Sequence, residues 1–154
     1  MYDTLLSDNL VGFDAELTVG SATVTGIVNR VIANGNFQGG IAVLMAATGA
    51  VAKVTISNSD ASDNGNYGMA VQANTGSVIA EINNSTMENN AIRGLWAIGA
   101  AKTHLARSVL DANGQFGIDN DVTGGGVTYS SLDNHLEENG SAVNGPNPTV
   151  DVLH

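Results

Sequence analysis

Apolar and polar residues alternate along this chain in short bursts with a period of two. "GIAVL" sets Ile41 and Val43 on one face, "GMAVQ" sets Met69 and Val71, and "GLWAI" sets Leu95 and Ala97. In the same way "KVTIS" aligns Val54 with Ile56, and "IAEIN" aligns Ala80 with Ile82. Turn-forming loops such as "AATGA" and "ANTGS" separate the first set of bursts from the second, and a polar corner (Asn58-Ser59, Asn84-Ser85, Arg107-Ser108) follows the second. The pattern predicts three short strands per repeat.

The bursts fall into columns. Asn9, Asn34, Asn64, Asn90 and Asn113, continued by His135, align with an apolar residue three positions earlier: Leu6, Val31, Ala61, Met87, Leu110 and Leu132. By subtraction both columns step by 25, 30, 26, 23 and 22 residues. A glycine and an apolar residue come next (Gly12-Phe13, Gly40-Ile41, Gly68-Met69, Gly94-Leu95, Gly117-Ile118), and Ile56, Ile82, Leu105 and Val127 form a further apolar column. A coil of ~22 residues that advances ~4.8 Å stacks each strand on its equivalent as a parallel sheet. Surplus residues between Gly40 and Asn64 are expected to bulge from a loop, because lengthening a loop costs little. The asparagines read as structural. They tolerate the left-handed conformation of a tight corner, and their amides can hydrogen-bond from coil to coil. Asn84-Ser85-Thr86 and Asn139-Gly140-Ser141 also match the N-glycosylation pattern, which an Asn-rich chain produces by chance.

The phrase V-x-I-x-N-S-x-x-x-x-N-x-x-x-G followed by an apolar strand resembles the right-handed parallel β-helix, or pectin-lyase-like, repeat over most of the chain. The resemblance implies an all-β, right-handed parallel β-helix of about five to six coils with three strands each. It would span residues 1–144, with a tail or cap at 145–154. Right-handedness follows from the resemblance and from the general hand of parallel crossovers. A six-residue beat, several leucines per turn, or a Thr-x-Thr in every coil would point to other solenoids, and none is present.

The same resemblance implies that any active groove runs over the outer face of the first sheet. The outward positions there are Ala42, Leu44, Ala70, Gln72, Trp96, Ile98, Asp119 and Asp121. Lyases of the family hold calcium with carboxylates and use an Arg or Lys base, and its hydrolases use several Asp from neighbouring coils. Asp119 and Asp121, ~7 Å apart on one strand face, are therefore the candidates for catalysis or for a calcium contact. Trp96, Arg93 and Gln72 are candidates for ligand binding, with Trp96 able to stack on a sugar ring. An outward Trp among Ala, Leu and Ile equally suits a contact with a second subunit.

Composition narrows the partners. The 15 acidic and 5 basic residues give a net charge of −10, which repels nucleic acid and anionic membranes and attracts cations. There is no cysteine, hence no disulfide or thiolate chemistry. No secretory leader or ~20-residue apolar span is evident, so the expectation is a cytoplasmic protein, unless the chain is a piece of an exported one. "YDTLLSDN" already fits the repeat, so the first coil is expected to lack a cap, whereas "HLEENGSAVNGPNPTVDVLH" is expected to drape over the last. The leading expectation is a small non-catalytic binding or assembly module that forms homo-oligomers, through an apolar sheet face or the uncapped N-terminal coil. The alternatives are a polysaccharide-binding or polysaccharide-cleaving protein with no cofactor other than calcium, and a fragment of a larger adhesin or phage spike.

Overall fold

The structure, a computed structural model, describes residues 1–121 and 124–150. Its strands run in order β1 (Tyr2–Leu5), β2 (Val11–Leu17), β3 (Thr23–Ile32), β4 (Gly39–Met45), β5 (Val51–Ser57), β6 (Tyr67–Asn83) and β7 (Thr86–Glu88). They continue as β8 (Arg93–Ala106), β9 (Val109–Asp111), β10 (Phe116–Asn120), β11 (Val127–Ser130), β12 (Ser141–Asn144) and β13 (Thr149–Val150). The described strands pair in parallel and stack as a β-solenoid of about five turns, with no helix among the described residues.

One face stacks β2, β4, the first half of β6, the first half of β8, β10 and β12. A second stacks β3, β5, the second halves of β6 and β8, then β11 and β13. β6 and β8 stay extended through the corner between these faces, with a register shift between Ala73 and Val78. The third side is thin: β7 pairs β9, and single bridges join Ile32 to Asp60, Asp60 to Thr86, and Val109 to His135.

The period-two bursts become core columns, because a parallel stack places equivalent residues above one another. Phe13, Ile41, Met69, Leu95, Ile118 and Val143 form one column, and Val28, Ile56, Ile82 and Leu105 form another. Ile41, Ile56, Met69, Ile82, Leu95 and Leu105 are all fully buried, each worth about 1.5–3 kcal/mol of apolar burial.

The asparagine column is a hydrogen-bonded ladder with a different membership from that expected. Its second rung is Asn36, whose backbone N–H and Nδ2 both donate to Asn64 Oδ1 at 3.0 Å. Asn34 stands two residues earlier and reaches the next coil outside the ladder, its Nδ2 donating to Asp60 Oδ2 at 3.1 Å and its Oδ1 accepting from Ser62 N–H at 2.8 Å. The last rung is Asn139, not His135, and Leu136 replaces the 88% exposed Leu132 in the apolar column beside it. Likewise Ala33, not Val31, lies three residues before its rung. The rungs Asn9, Asn36, Asn64, Asn90, Asn113 and Asn139 step by 27, 28, 26, 23 and 26 residues by subtraction, so the expected step of 30 shortens to 28.

Nor do the rungs adopt the left-handed conformation. It falls on the residue before each rung: Asp8 (φ 59°), Gly35 (φ 66°), Asp63 (φ 57°), Asn89 (φ 52°), Ala112 (φ 51°) and Glu138 (φ 52°). A second left-handed corner takes Asp3, Arg30, Asn58, Asn84 and Arg107. Directly after it a serine ladder runs inside the wall, with Ser59 N–H donating to Ser85 Oγ at 3.3 Å and Ser85 N–H to Ser108 Oγ at 3.2 Å.

The glycine column has a steric cause. A Cβ at Gly68 would stand 2.6 Å from Ala61 O and 2.9 Å from Asn90 Nδ2, and one at Gly94 2.9 Å from Asn113 Nδ2. The strand must pass this close to the ladder, which only glycine permits. The C-terminal segment expected to drape instead winds as a further coil. β12 stacks on β10, and β13, within the expected tail, stacks on β11.

Candidate functional site

Three surfaces are candidate sites. On the first face the outward columns are Asp14, Ala42, Ala70, Trp96, Asp119 and Asn144, and beside them Glu16, Leu44, Gln72 and Ile98. Asp119 is only 4% exposed. Its carboxylate accepts from Arg93 Nε at 2.5 Å and Asn144 Nδ2 at 2.8 Å, one bond on each oxygen. Arg93 also donates Nη1 to Asn66 Oδ1 at 2.7 Å and lies with Cζ 4.2 Å from the Trp96 ring centre. One guanidinium thus clamps Asn66, Asp119 and an indole in three successive coils. Tyr67 leans over Gly39, 6.1 Å from Trp96, and burial, together with the Asp14 carboxylate, pushes its hydroxyl above the ordinary 10.0.

The candidates are therefore separated by role. Arg93, Trp96 and Asp119 come together as a packed cluster, in which Asp119 is the buried acceptor of an ion pair. Asp121, the other member of the expected pair, is half-buried past the end of β10. Gln72 is bonded to Asn74 through Nε2 at 2.7 Å, away from the clamp. Sequence reasoning missed the Asp119 partnership because Arg93 is 26 residues away by subtraction, with no spacing rule to join them. Among the described residues no three His, Asp or Glu side chains converge as a metal cluster.

The second face carries His104 stacked on Tyr129, ring centres 4.9 Å apart and planes at 13°. Beside the pair, Glu81, Asn83, His104, Arg107 and Ser131 line a surface groove of about 330 Å³. Arg107 Nη2 donates to Asn83 Oδ1 at 3.4 Å, so the wall of the groove is polar and part-bonded.

The third surface is the N-terminal end. β2 and residues 23–27 of β3 have no strand on their outer edge among the described residues. The first coil leaves its interior open. Met1, Phe13, Ala15, Val24, Gly26 and Val28 are among the residues around an apolar mouth of about 240 Å³. Of the eleven large apolar side chains that are exposed among the described residues, nine precede residue 38 (Met1, Tyr2, Leu5, Leu10, Val19, Val24, Ile27, Ile32 and Phe37), and the other two are Leu132 and Val150. Among the described residues none lies between residues 38 and 131, so the exposed apolar side chains gather in the first coils. Charge at this rim is arranged as well: Arg30 donates to both oxygens of Asp3 at 2.5 and 2.8 Å and holds that carboxyl below its usual range.

These features define a parallel β-solenoid with ladders inside its wall and a hydrophobic open end. Comparison with protein-family models, with curated proteins and with solved structures yields no match. No helix of the described residues is long and apolar enough to cross a membrane.

Proposed function

We propose that this chain is a non-catalytic assembly module of the right-handed, pectin-lyase-like type, which associates with further copies of itself through its N-terminal coil. The observation behind this reading is the distribution of exposed apolar side chains, nine of eleven among the described residues before residue 38, in coils that begin at a strand edge with no partner strand. Such an edge and such a patch are each unfavourable in water and are relieved together by stacking another coil. The first face is less suited to the task. Leu44, Trp96 and Ile98 there are half-buried by their neighbours, and the Arg93 clamp already covers the indole. The commitment of both Asp119 oxygens to Arg93 and Asn144 supports the non-catalytic part.

Sedimentation velocity over a concentration series tests the reading. The intact chain is expected to associate reversibly. The pair of changes Val24→Asp and Ile27→Lys, at exposed positions of the open end, is expected to give a folded monomer. Leu44→Glu on the first face is expected to leave association unchanged. Loss of association in Leu44→Glu alone would move the interface to the sheet face and overturn the assignment.

A second reading, carbohydrate binding, draws on the groove beside the His104–Tyr129 stack, where polar side chains surround a flat ring pair. Retention of acidic or neutral polysaccharides, with and without calcium, and its loss in His104→Ala would favour it.

A further inference from the structure

The ladders have a direction, and it determines how a second copy can dock. In each interior rung the Asn Oδ1 accepts two bonds from the rung on its N-terminal side, as Asn90 Oδ1 does from Asn64 N–H (3.0 Å) and Asn64 Nδ2 (3.1 Å). Acceptors therefore face the N-terminal end and backbone donors the C-terminal end. At the first rung, nothing among the described residues donates to Asn9 Oδ1, while Asn9 itself donates to Asn36 and to Ser7 O. At the last rung, Asn139 Nδ2 is used by Leu110 O and Glu137 O, but its backbone N–H has no partner among the described residues. The serine ladder points the same way. Thr4 stands one coil before Val31, whose N–H donates to Ser59 Oγ. Thr4 Oγ1 donates to Tyr2 O as Ser59 Oγ does to Ser57 O, so its lone pairs are available at the open end.

Resting on the assembly reading above, we propose that the partner at the N-terminal coil is the C-terminal coil of a second copy, stacked head to tail so that both ladders and the core columns run on through the junction. Asn139 N–H would donate to Asn9 Oδ1 of the next copy, closing the one open donor with the one open acceptor of that ladder. Phe13 and Val143 end the same core column at opposite ends of the molecule, and Leu6 and Leu136 end another, so the apolar columns meet in phase. Two N-terminal ends placed face to face would instead set Oδ1 against Oδ1 with no donor between them, and buried acceptors without donors are costly. A head-to-tail contact does not close on itself, so the product is an open linear series and not a dimer.

The same geometry sets a charge test. Asp8 and Glu138 both occupy the left-handed position before a ladder asparagine, at the first and last coils. A head-to-tail junction brings these like charges into neighbouring coils, which limits association at low salt. Glu138→Lys is expected to strengthen association by roughly tenfold, the scale of turning an exposed like-charge pair into an opposite one. Asp8→Lys should act similarly, and the double change Asp8→Lys/Glu138→Lys should return association to near the original strength. Each variant is measured by sedimentation velocity beside its far-ultraviolet circular dichroism, which shows whether it is folded.

Species growing past the dimer with concentration, together with this non-additive pattern, is the expected result. A dimer that saturates and ignores Glu138→Lys would overturn head-to-tail stacking while leaving the assembly reading intact. Growth past the dimer without the charge pattern would overturn the proposed register. A folded monomer in every variant at every concentration would overturn both.

Discussion

Asn90→Ala tests the ladder most directly. Asn90 is 1% exposed, and its side chain accepts from Asn64 N–H and Asn64 Nδ2 and donates to Ala61 O (3.1 Å) and Asn113 Oδ1 (3.0 Å). Alanine deletes all four bonds. The backbone N–H of Asn64 and the carbonyl of Ala61 are left without these partners inside the wall, and one Asn64 amide proton joins them. Asn113 Oδ1 keeps the backbone N–H of residue 90 as a donor at 3.1 Å. An orphaned buried group costs about 1–3 kcal/mol, so three of them, partly relaxed, cost about 3–6 kcal/mol. Domains are commonly stable by only about 5–15 kcal/mol, so the loss is a large fraction of the whole. Urea unfolding followed by far-ultraviolet circular dichroism reads it as a midpoint lowered by roughly 1.5–3 M, for a slope near 2 kcal/mol/M. Asn34→Ala is the paired control. It removes two part-buried bonds and is expected to cost about 0.5–1.5 kcal/mol. Asn90→Asp separates bonding from volume: it keeps an acceptor for Asn64 but sets a second oxygen against Ala61 O and Asn113 Oδ1, so it should fare no better than alanine at neutral pH. A loss below 1 kcal/mol in Asn90→Ala, or an equal loss in Asn34→Ala, would refute the assignment of the rungs.

Three further outcomes are expected. Gly68→Ala should cost about 2–3 kcal/mol in the same unfolding assay, because its Cβ meets the Ala61 carbonyl at 2.6 Å, whereas Gly26→Ala, with nothing nearer than Val54 at 3.8 Å, should cost under about 1 kcal/mol. Thr103→Val should stabilise by about 1 kcal/mol, since Thr103 Oγ1 is buried without a hydrogen-bond partner among the described residues and the change keeps its shape; destabilisation would show that the hydroxyl is satisfied. Tyr67 binds its proton more tightly when folded than the ordinary 10.0, so above that pH the unfolded chain releases its proton first and stability falls as pH rises. Tyr67→Phe should flatten that alkaline decline in a series of urea midpoints, and an unchanged slope would assign the decline to other groups.

The legible part of the fold is the part in which like stacks on like. Ile41, Met69 and Leu95 occupy one core column, Gly40, Gly68 and Gly94 pass beside the ladder, and Asn64, Asn90 and Asn113 form its rungs, because each coil places the same demand on the same position. The columns slip where two candidates compete. "NGN" offers both Asn34 and Asn36, and the deciding feature is Gly35, whose φ of 66° marks the corner immediately before a rung. The phrase "LEENG" at Leu136–Gly140 repeats "LDANG" at Leu110–Gly114, yet Leu132 lies close enough to the expected spacing to mislead. Contacts that run diagonally across coils leave no such trace. Arg93 reaches back to Asn66 and forward to Asp119, so its two bonds join different columns of neighbouring coils. Asp119 consequently reads from sequence as an exposed acid on a strand face, when its neighbour one coil back has already neutralised it. The character of the ends is legible only as composition. That the first coil offers acceptors and the last a donor depends on bond directions inside the wall, which residue identities alone do not specify.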